Sequence, residues 1–221
     1  MTLTARSYTS GHLMEYTALL IGKVRAIEVA HSELPPHDME AEHRALAISV
    51  VMLSAAFLDA VLNELFADIA SGQALVSHPA VASHRTALEA VGRRRLPLLD
   101  RYDAALAASG HAPFDHAVEP FQTTKLAIYL RNSFVHAEPY EASSEDLGPK
   151  KMERKLRNRF ALNPWHGTGT VFFPHRVLSA GCGRWLLTAF IAHADEFFHR
   201  LGVPPPYESR RRAVSAAIAT S

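Results

Sequence analysis

The sequence contains very little cysteine and no excess of charge of either sign. Its 221 residues include a single cysteine, Cys182, which excludes an intrachain disulfide framework and any CxxC metal or redox motif. The 23 lysines and arginines are balanced by 22 aspartates and glutamates, so the formal net charge is +1. This balance argues against a strongly basic nucleic-acid-binding chain, and a charged partner must therefore meet a local patch.

Long hydrophobic runs are also missing. The longest uncharged apolar stretch, Ala45–Leu58, is closed by Asp59 and is shorter than the roughly 18 to 20 residues that cross a bilayer. The start of the chain has no apolar core of the kind found in a secretory signal. We therefore expect a globular, cytoplasmic protein without a membrane partner.

Apolar residues recur at three- and four-residue spacing along nearly the whole chain, which is the period of an amphipathic helix. We predict helices over residues 10–31, 40–69, 79–108 with a kink at Pro97, 120 to just before Pro139, 149–160 and 178–201. Residues 168–173 are the one candidate strand. The sequence predicts an all-α domain over residues 1–203 with short irregular insertions, and a flexible basic tail over 204–221 because VPPPY interrupts helix.

The fourth predicted helix, FQTTKLAIYLRNSFVHAEP, carries a polar cluster in an apolar stretch. Asn132 and His136 are four residues apart and share one line of the helix, and Arg131 precedes Asn132 directly. His136 lies near the helix end, where the dipole favours a protonated imidazole. Arginine binds phosphate through its planar fork and histidine transfers protons, so these three residues are a candidate site for phosphate chemistry without metal or cofactor.

The spacing alone does not identify such a site. With 18 arginines and 13 histidines in the chain, chance supplies about one Arg-x4-His pair. From the residues alone, Arg131 and His136 therefore also fit an ion pair or a cap at the end of a helix.

The stretch LRNSFVHAEP resembles the R-N-x-x-x-H signature of the HEPN superfamily, a group of helical domains that includes metal-independent ribonucleases. The segment SAAFLDAVLNELF is similar to a HEPN-like helix with an acidic residue and an asparagine four residues apart, here Asp59 and Asn63. The order of helices, which ends in a tryptophan-bearing helix, is also similar. The resemblance covers most of residues 10–203.

The resemblance implies an up-and-down helical bundle of the HEPN type that forms a homodimer, with two motifs facing one RNA-binding cleft. It implies an endoribonuclease, or an RNA-directed toxin or defence component, that leaves a 2′,3′-cyclic phosphate. His136 would be the general base or acid, Arg131 would stabilise the phosphorane, and Asn132 would orient one of them. The chain lacks a GSxxxG nucleotidyltransferase signature, so any antitoxin or regulatory protein would be a separate chain. The alternative is a non-catalytic dimeric module that binds a protein or a nucleotide-like ligand.

A metal site is the main rival among the other motifs. His193-x-x-Glu196-x-x-His199 and Glu40-x-x-His43 suggest half of a di-iron set, but inward-facing carboxylates on further helices are not evident. We expect no metal, and we expect His193, Glu196 and His199 to form a solvated helix face.

Two further features have alternative interpretations. A basic run is either a phosphate-attracting patch or a solvated helix face; its members are Lys150, Lys151, Arg154, Lys155, Arg157 and Arg159. Aromatic residues near it are few, so base stacking is not predicted. Cys182 stands between two glycines, where we expect a small packed residue rather than a reactive thiol.

Overall fold

The computed structural model describes residues 8–31, 37–72, 78–136 and 147–220, and every regular element in these ranges is helical. The α-helices are α1 (Thr9–Ala30), α2 (His37–Ser71), α3 (Pro79–Ala82), α4 (Arg85–Gly92), α5 (Leu98–Ala108), α6 (Phe121–Val135), α7 (Leu147–Leu156), α8 (Ala180–Leu201) and α9 (Glu208–Thr220). A short kinked segment, Phe172–Arg176, precedes α8, and its Phe173 is extended, with φ −107° and ψ 133°. The prediction of an all-α bundle is confirmed.

Helices α1 and α2 form an antiparallel pair. At one end, the backbone amide and the hydroxyl of Ser10 donate hydrogen bonds to the Glu64 carboxylate at 2.8 and 2.5 Å. At the other end, Glu28 Oε1 lies 3.1 Å from His43 Nε2, and both side chains are buried. The start of α1 therefore meets the end of α2, and the sequence predicts both helices to within three residues.

Helix α2 is the one described helix that is long and apolar enough to cross a membrane by length and composition. In this fold, 50% of its most apolar window is buried, and it packs against α1, α8 and α6. Its side chains Phe57, Leu58, Val61 and Leu62 are fully buried. The apolar side chains of α2 therefore pack in the core of the bundle.

Helix α8 packs against α1, α2 and α6. It begins where Ser179 Oγ accepts a hydrogen bond from the Cys182 amide at 3.0 Å, which is a side-chain N-cap. It ends at Gly202, whose φ of 72° is the left-handed conformation that glycine adopts readily. Gly183 allows close packing on α2, since a Cβ there would lie 2.6 Å from Val50 Cγ1. The sequence predicts this helix with nearly the same bounds.

The middle of the chain differs from the prediction of one kinked helix over 79–108. Three separate helices, α3, α4 and α5, occupy this range, and the last break falls at the predicted Pro97, which is the N-cap of α5. Proline lacks the amide hydrogen needed inside a helix, and its ring clashes with the preceding turn. The predicted strand over 168–173 is wrong, because those residues form turns and the start of the kinked segment Phe172–Arg176 and pair with no strand.

The predicted flexible tail over 204–221 is also wrong for the residues that the structure describes. After VPPPY the chain forms α9, which packs against α1. Tyr207 is fully buried, and Val214 and Ile218 face the core at a helical spacing of four. Arg210 forms an ion pair with Glu15 of α1. The three prolines separate α8 from α9, but a new helix still begins at Glu208, two residues after the last of them.

Candidate functional site

The last turns of α6 carry the motif, by which we mean Arg131, Asn132 and His136. Arg131 and Asn132 lie inside the helix, whereas His136 is its C-cap residue, with φ −112° and ψ 41°. The backbone amide of His136 donates to the Asn132 carbonyl at 2.8 Å, which closes the last helical turn. The imidazole is therefore carried on a hydrogen-bonded helix end, and it is exposed to solvent.

Asn132 orients the guanidinium of Arg131. Arg131 Nη1 donates a hydrogen bond to Asn132 Oδ1 at 2.9 Å. Within the described part of the chain, Arg131 has no carboxylate partner, and His136 makes no side-chain hydrogen bond. Because a guanidinium has five N–H donors, most of those of Arg131 remain available to a phosphate.

The structure joins Arg131 and Asn132 by a hydrogen bond, but within the described residues no side-chain hydrogen bond links either of them to His136. The acidic residue and asparagine of α2 belong to a different network. Asp59 Oδ1 accepts from Arg101 Nη1 at 2.7 Å, and Asn63 Oδ1 accepts from Arg101 Nη2 at 2.5 Å. Asn63 also donates to Asp59 at 3.0 Å. These residues fix α5 to α2 rather than contacting the motif.

Sequence reasoning missed one residue beside the motif, Tyr129, and the structure places Lys155 of the predicted basic run against it. The ammonium of Lys155, on α7, lies 4.9 Å from the centre of the Tyr129 ring, within the range of a cation–π contact. Tyr129 precedes Asn132 by three residues, so helical spacing could have placed it on the same face. This contact brings the basic helix α7 next to the end of α6.

The other members of the predicted basic run have separate surroundings. Arg154 and Lys155 are exposed, while Arg157 forms an ion pair with Glu153 at 2.8 Å. Arg159 lines a cleft along α8. The side chains of Lys150 and Lys151 lie outside the described residues. Members of the run therefore lie in two places: Lys155 is near the motif, and Arg159 is at the cleft.

The predicted solvated face of α8 is wrong for His193. This residue is fully buried, stacked on Phe114 with ring centres 4.2 Å apart and contacted edge-on by Tyr102 at 4.9 Å. Burial, with a smaller effect of Arg200, lowers the pKa of His193 to about 3. The imidazole is therefore neutral near pH 7 and belongs to the aromatic core.

The two glutamates of the metal-like motifs are paired with arginines on their own helices. Glu196 accepts a hydrogen bond from Arg200 at 2.8 Å, and Glu40 accepts one from Arg44 at 2.6 Å. His199 is exposed. In the part of the chain that the structure describes, no three histidine, cysteine or acidic side chains form a group that could hold a metal ion.

The expectation for Cys182 is confirmed. The side chain is buried, and burial alone raises the pKa of its thiol above the ordinary value. A thiol that stays protonated is a poor nucleophile. Cys182 therefore acts as a small core residue in the first turn of α8.

Comparison with protein-family models, with curated proteins and with solved structures finds no match to this chain. The class that the structure itself assigns is an all-α helical bundle. Any further assignment therefore depends on the residues at the end of α6 and on their surroundings.

Proposed function

We propose that this protein is a cytoplasmic, metal-independent endoribonuclease, or an RNA-directed toxin or defence component, that acts through Arg131, Asn132 and His136. The observation that carries the proposal is the exposed end of α6. There a guanidinium without a carboxylate partner in the described chain is held by Asn132, one turn before a solvent-exposed imidazole. If Arg131 served only in an ion pair at the end of the helix, we would expect its guanidinium to contact a carboxylate.

The chemistry requires a base, an acid and a cation at one phosphodiester. The ribose 2′-oxygen attacks the adjacent phosphorus while its proton passes to a histidine, the bond from phosphorus to the 5′-oxygen breaks, and that oxygen takes up a proton. The products are a 2′,3′-cyclic phosphate and a free 5′-hydroxyl. Arg131 stabilises the charge that develops on the phosphorane oxygens, and Asn132 keeps its guanidinium in position.

A homodimer would supply two imidazoles, one as base and one as acid. Val135 lies between Asn132 and His136, Tyr129 lies two residues before Arg131, and these apolar side chains are 48% and 38% exposed, so both are accessible to a second copy of the chain. A second copy of α6 packed on these side chains would bring two motifs together. The exposed basic residues of α7, Arg154 and Lys155, would then contact the RNA backbone.

The test is an assay of the purified full chain on mixed single-stranded RNA with analysis of the end groups. We expect cleavage that EDTA does not inhibit and that leaves cyclic phosphate. His136→Ala and Arg131→Ala should each lower the rate by roughly 100-fold or more, the usual effect of losing a general acid or base. Arg131→Lys should rescue only in part, because an ammonium lacks the planar fork.

Two exposed residues outside the motif provide matched controls, which show whether the loss of cleavage is specific to the motif. His199→Ala and Arg94→Ala remove the same side chains from surface positions and should cut like the wild type. Absence of cleavage by the wild type, or equal cleavage by His136→Ala, would leave the non-catalytic dimeric module as the function of this fold.

A further inference from the structure

A cleft of about 810 Å³ runs along α8 and is bordered by the second half of α1, the first turn of α6 and residues 159–164. This size is typical of small-molecule sites. None of Arg131, Asn132 and His136 lines it. Helix α6 contributes Thr123 to the cleft and carries His136 at its opposite end, about 20 Å farther along the helix axis. The cleft is therefore a separate feature from the motif.

Three arginines line this cleft without neutralising partners. Arg25, Arg159 and Arg184 come from α1, the segment after α7, and α8, and none has an ion pair with a carboxylate in the described part of the chain. The Nε atom of Arg184 is buried and has no hydrogen-bond partner there. The positive charge that these three side chains bring to the cleft favours an anionic ligand.

The two carboxylates that also line the cleft are already occupied. Glu28 accepts a hydrogen bond from the Ala180 amide at 2.9 Å and thereby caps α8. Glu119 accepts from the amide and hydroxyl of Thr123 at 3.1 and 2.7 Å and caps α6 in the same way. Both carboxylates therefore accept hydrogen bonds from the first turns of helices instead of pairing with the arginines of the cleft. The three guanidinium groups can then bind an anionic ligand.

An aromatic wall adjoins the arginines. The rings of Trp185 and Phe160 pack with centres 5.3 Å apart and an interplanar angle of 39°, and both line the cleft together with Leu162. Both aromatic side chains are partly exposed rather than buried in the core. They offer a flat apolar surface next to three cationic side chains.

We propose that this cleft binds a small organic anion that carries a planar ring. The phosphate or carboxylate head group contacts Arg184 together with Arg25 or Arg159, and the ring packs against Trp185 and Phe160. The binding requires no cleavage chemistry and does not depend on the proposed nuclease.

Isothermal titration calorimetry on the full chain tests the proposal with probes that share one ring. Naphthyl phosphate and naphthoate carry the two head groups, naphthol has the ring without the anion, and inorganic phosphate has the anion without the ring. We expect at least one naphthyl anion to bind about tenfold or more tightly than both naphthol and inorganic phosphate. The comparison of the two anions identifies the preferred head group. No binding of either anion at about 1 mM, or equal binding of naphthol, would overturn the proposal.

Single substitutions locate the binding. Arg184→Gln should weaken the preferred probe about tenfold or more, whereas Arg94→Gln, an exposed arginine outside the cleft, should have no effect. Arg25→Gln provides a second variant with little risk to the fold, because Arg25 is exposed, and it should weaken the probe as well. Unchanged affinity in both cleft variants would show that the probe does not bind in this cleft. Binding by His136→Ala should equal that of the wild type, which separates this result from the fate of the nuclease proposal.

Discussion

The hydroxyl of Tyr207 donates a hydrogen bond to Asp195 Oδ1 at 2.9 Å, and this contact fixes the start of α9 to α8. The other oxygen of the same carboxylate accepts from Arg211 Nη2 at 2.5 Å. Burial raises the pKa of Asp195, although the bonds from Tyr207 and Arg211 oppose this shift. The Tyr207 ring also packs edge-on against Phe57 of α2 at 5.1 Å. Helix α9 is thus part of the folded domain.

Removal of residues 208–221 should destabilise the protein. The truncation withdraws the buried side chains of Val214 and Ile218 and uncovers part of α1. On the scale of about 1.5 to 3 kcal/mol for each large apolar side chain, the loss should reach several kcal/mol. Thermal unfolding followed by circular dichroism measures it. Within the full chain, Val214→Asp should be harmful and its exposed neighbour Ala213→Asp should not. An unchanged melting temperature after truncation would mean that α9 contributes nothing to the fold.

The stability of the protein should fall in mild acid because of His193. Burial lowers the pKa of this histidine from 6.5 to about 3, so between these values the unfolded chain takes up a proton that the native chain does not. The free energy of unfolding should therefore decrease as the pH falls through this window, by at most about 1.4 kcal/mol per pH unit.

Urea unfolding at about pH 7 and about pH 5 measures this dependence. His193→Leu should lose less stability between the two pH values than the wild type does, whereas His199→Leu, an exposed position on the same helix, should behave like the wild type. Equal losses in all three proteins would show that His193 is not the group responsible.

Lys155 should contribute to RNA binding without taking part in cleavage. Its ammonium lies over Tyr129 beside the motif, so Lys155→Ala should weaken binding to a similar extent for all RNA sequences. It should also reduce the slope of log K against log salt concentration by about 0.7, the value for one lost phosphate contact to a single strand. Fluorescence anisotropy measures both quantities in the His136→Ala background, where we expect cleavage to be slowed by roughly 100-fold or more. Lys23→Ala on α1 is the matched control, since this lysine is also exposed. Identical salt slopes for the two lysine variants would remove α7 from the RNA-binding surface.

The protein should form a homodimer through the end of α6. Val135→Glu places a charge on the exposed apolar side chain next to the motif, and we expect it to yield a monomer in light scattering at tens of micromolar. Val29→Glu makes the same change at an exposed valine of α1 and should leave the mass unchanged. A monomeric wild type at these concentrations would rule out the shared site.

The helices that the sequence predicts well are those with a continuous apolar stripe. Along α2, Val50, Phe57, Val61 and Leu65 recur at helical spacing, and all four are buried. Helix α9 was missed because the three prolines before it indicate a break, while its few apolar residues give only a weak stripe. The acids that hold it, Glu15 and Asp195, lie on other helices, α1 and α8. Such long-range ion pairs leave no local pattern in a sequence.

The residues of the candidate site are a prediction from the sequence, whereas their surroundings come from the structure alone. The pattern R-N-x-x-x-H locates Arg131, Asn132 and His136, and the structure adds the Arg131–Asn132 hydrogen bond that a pattern cannot specify. His193 had a usable signal, because Phe190 and Phe197 lie three and four residues away on the same side of α8. The arginine cleft had no such signal, since its cationic residues come from three separate segments.

The contact between α9 and α1 joins residues that are far apart in the sequence, as in the pair of Glu15 and Arg210, which are 195 residues apart. During synthesis, α1 leaves the ribosome long before the helix that covers it. Until residues 208–220 have emerged, the nascent chain carries an uncovered strip of its first helix. Contacts of such high sequence separation slow folding, because a long loop must close before they form. We expect the nascent chain to pass through a state in which this strip of α1 is open to chaperones until α9 covers it.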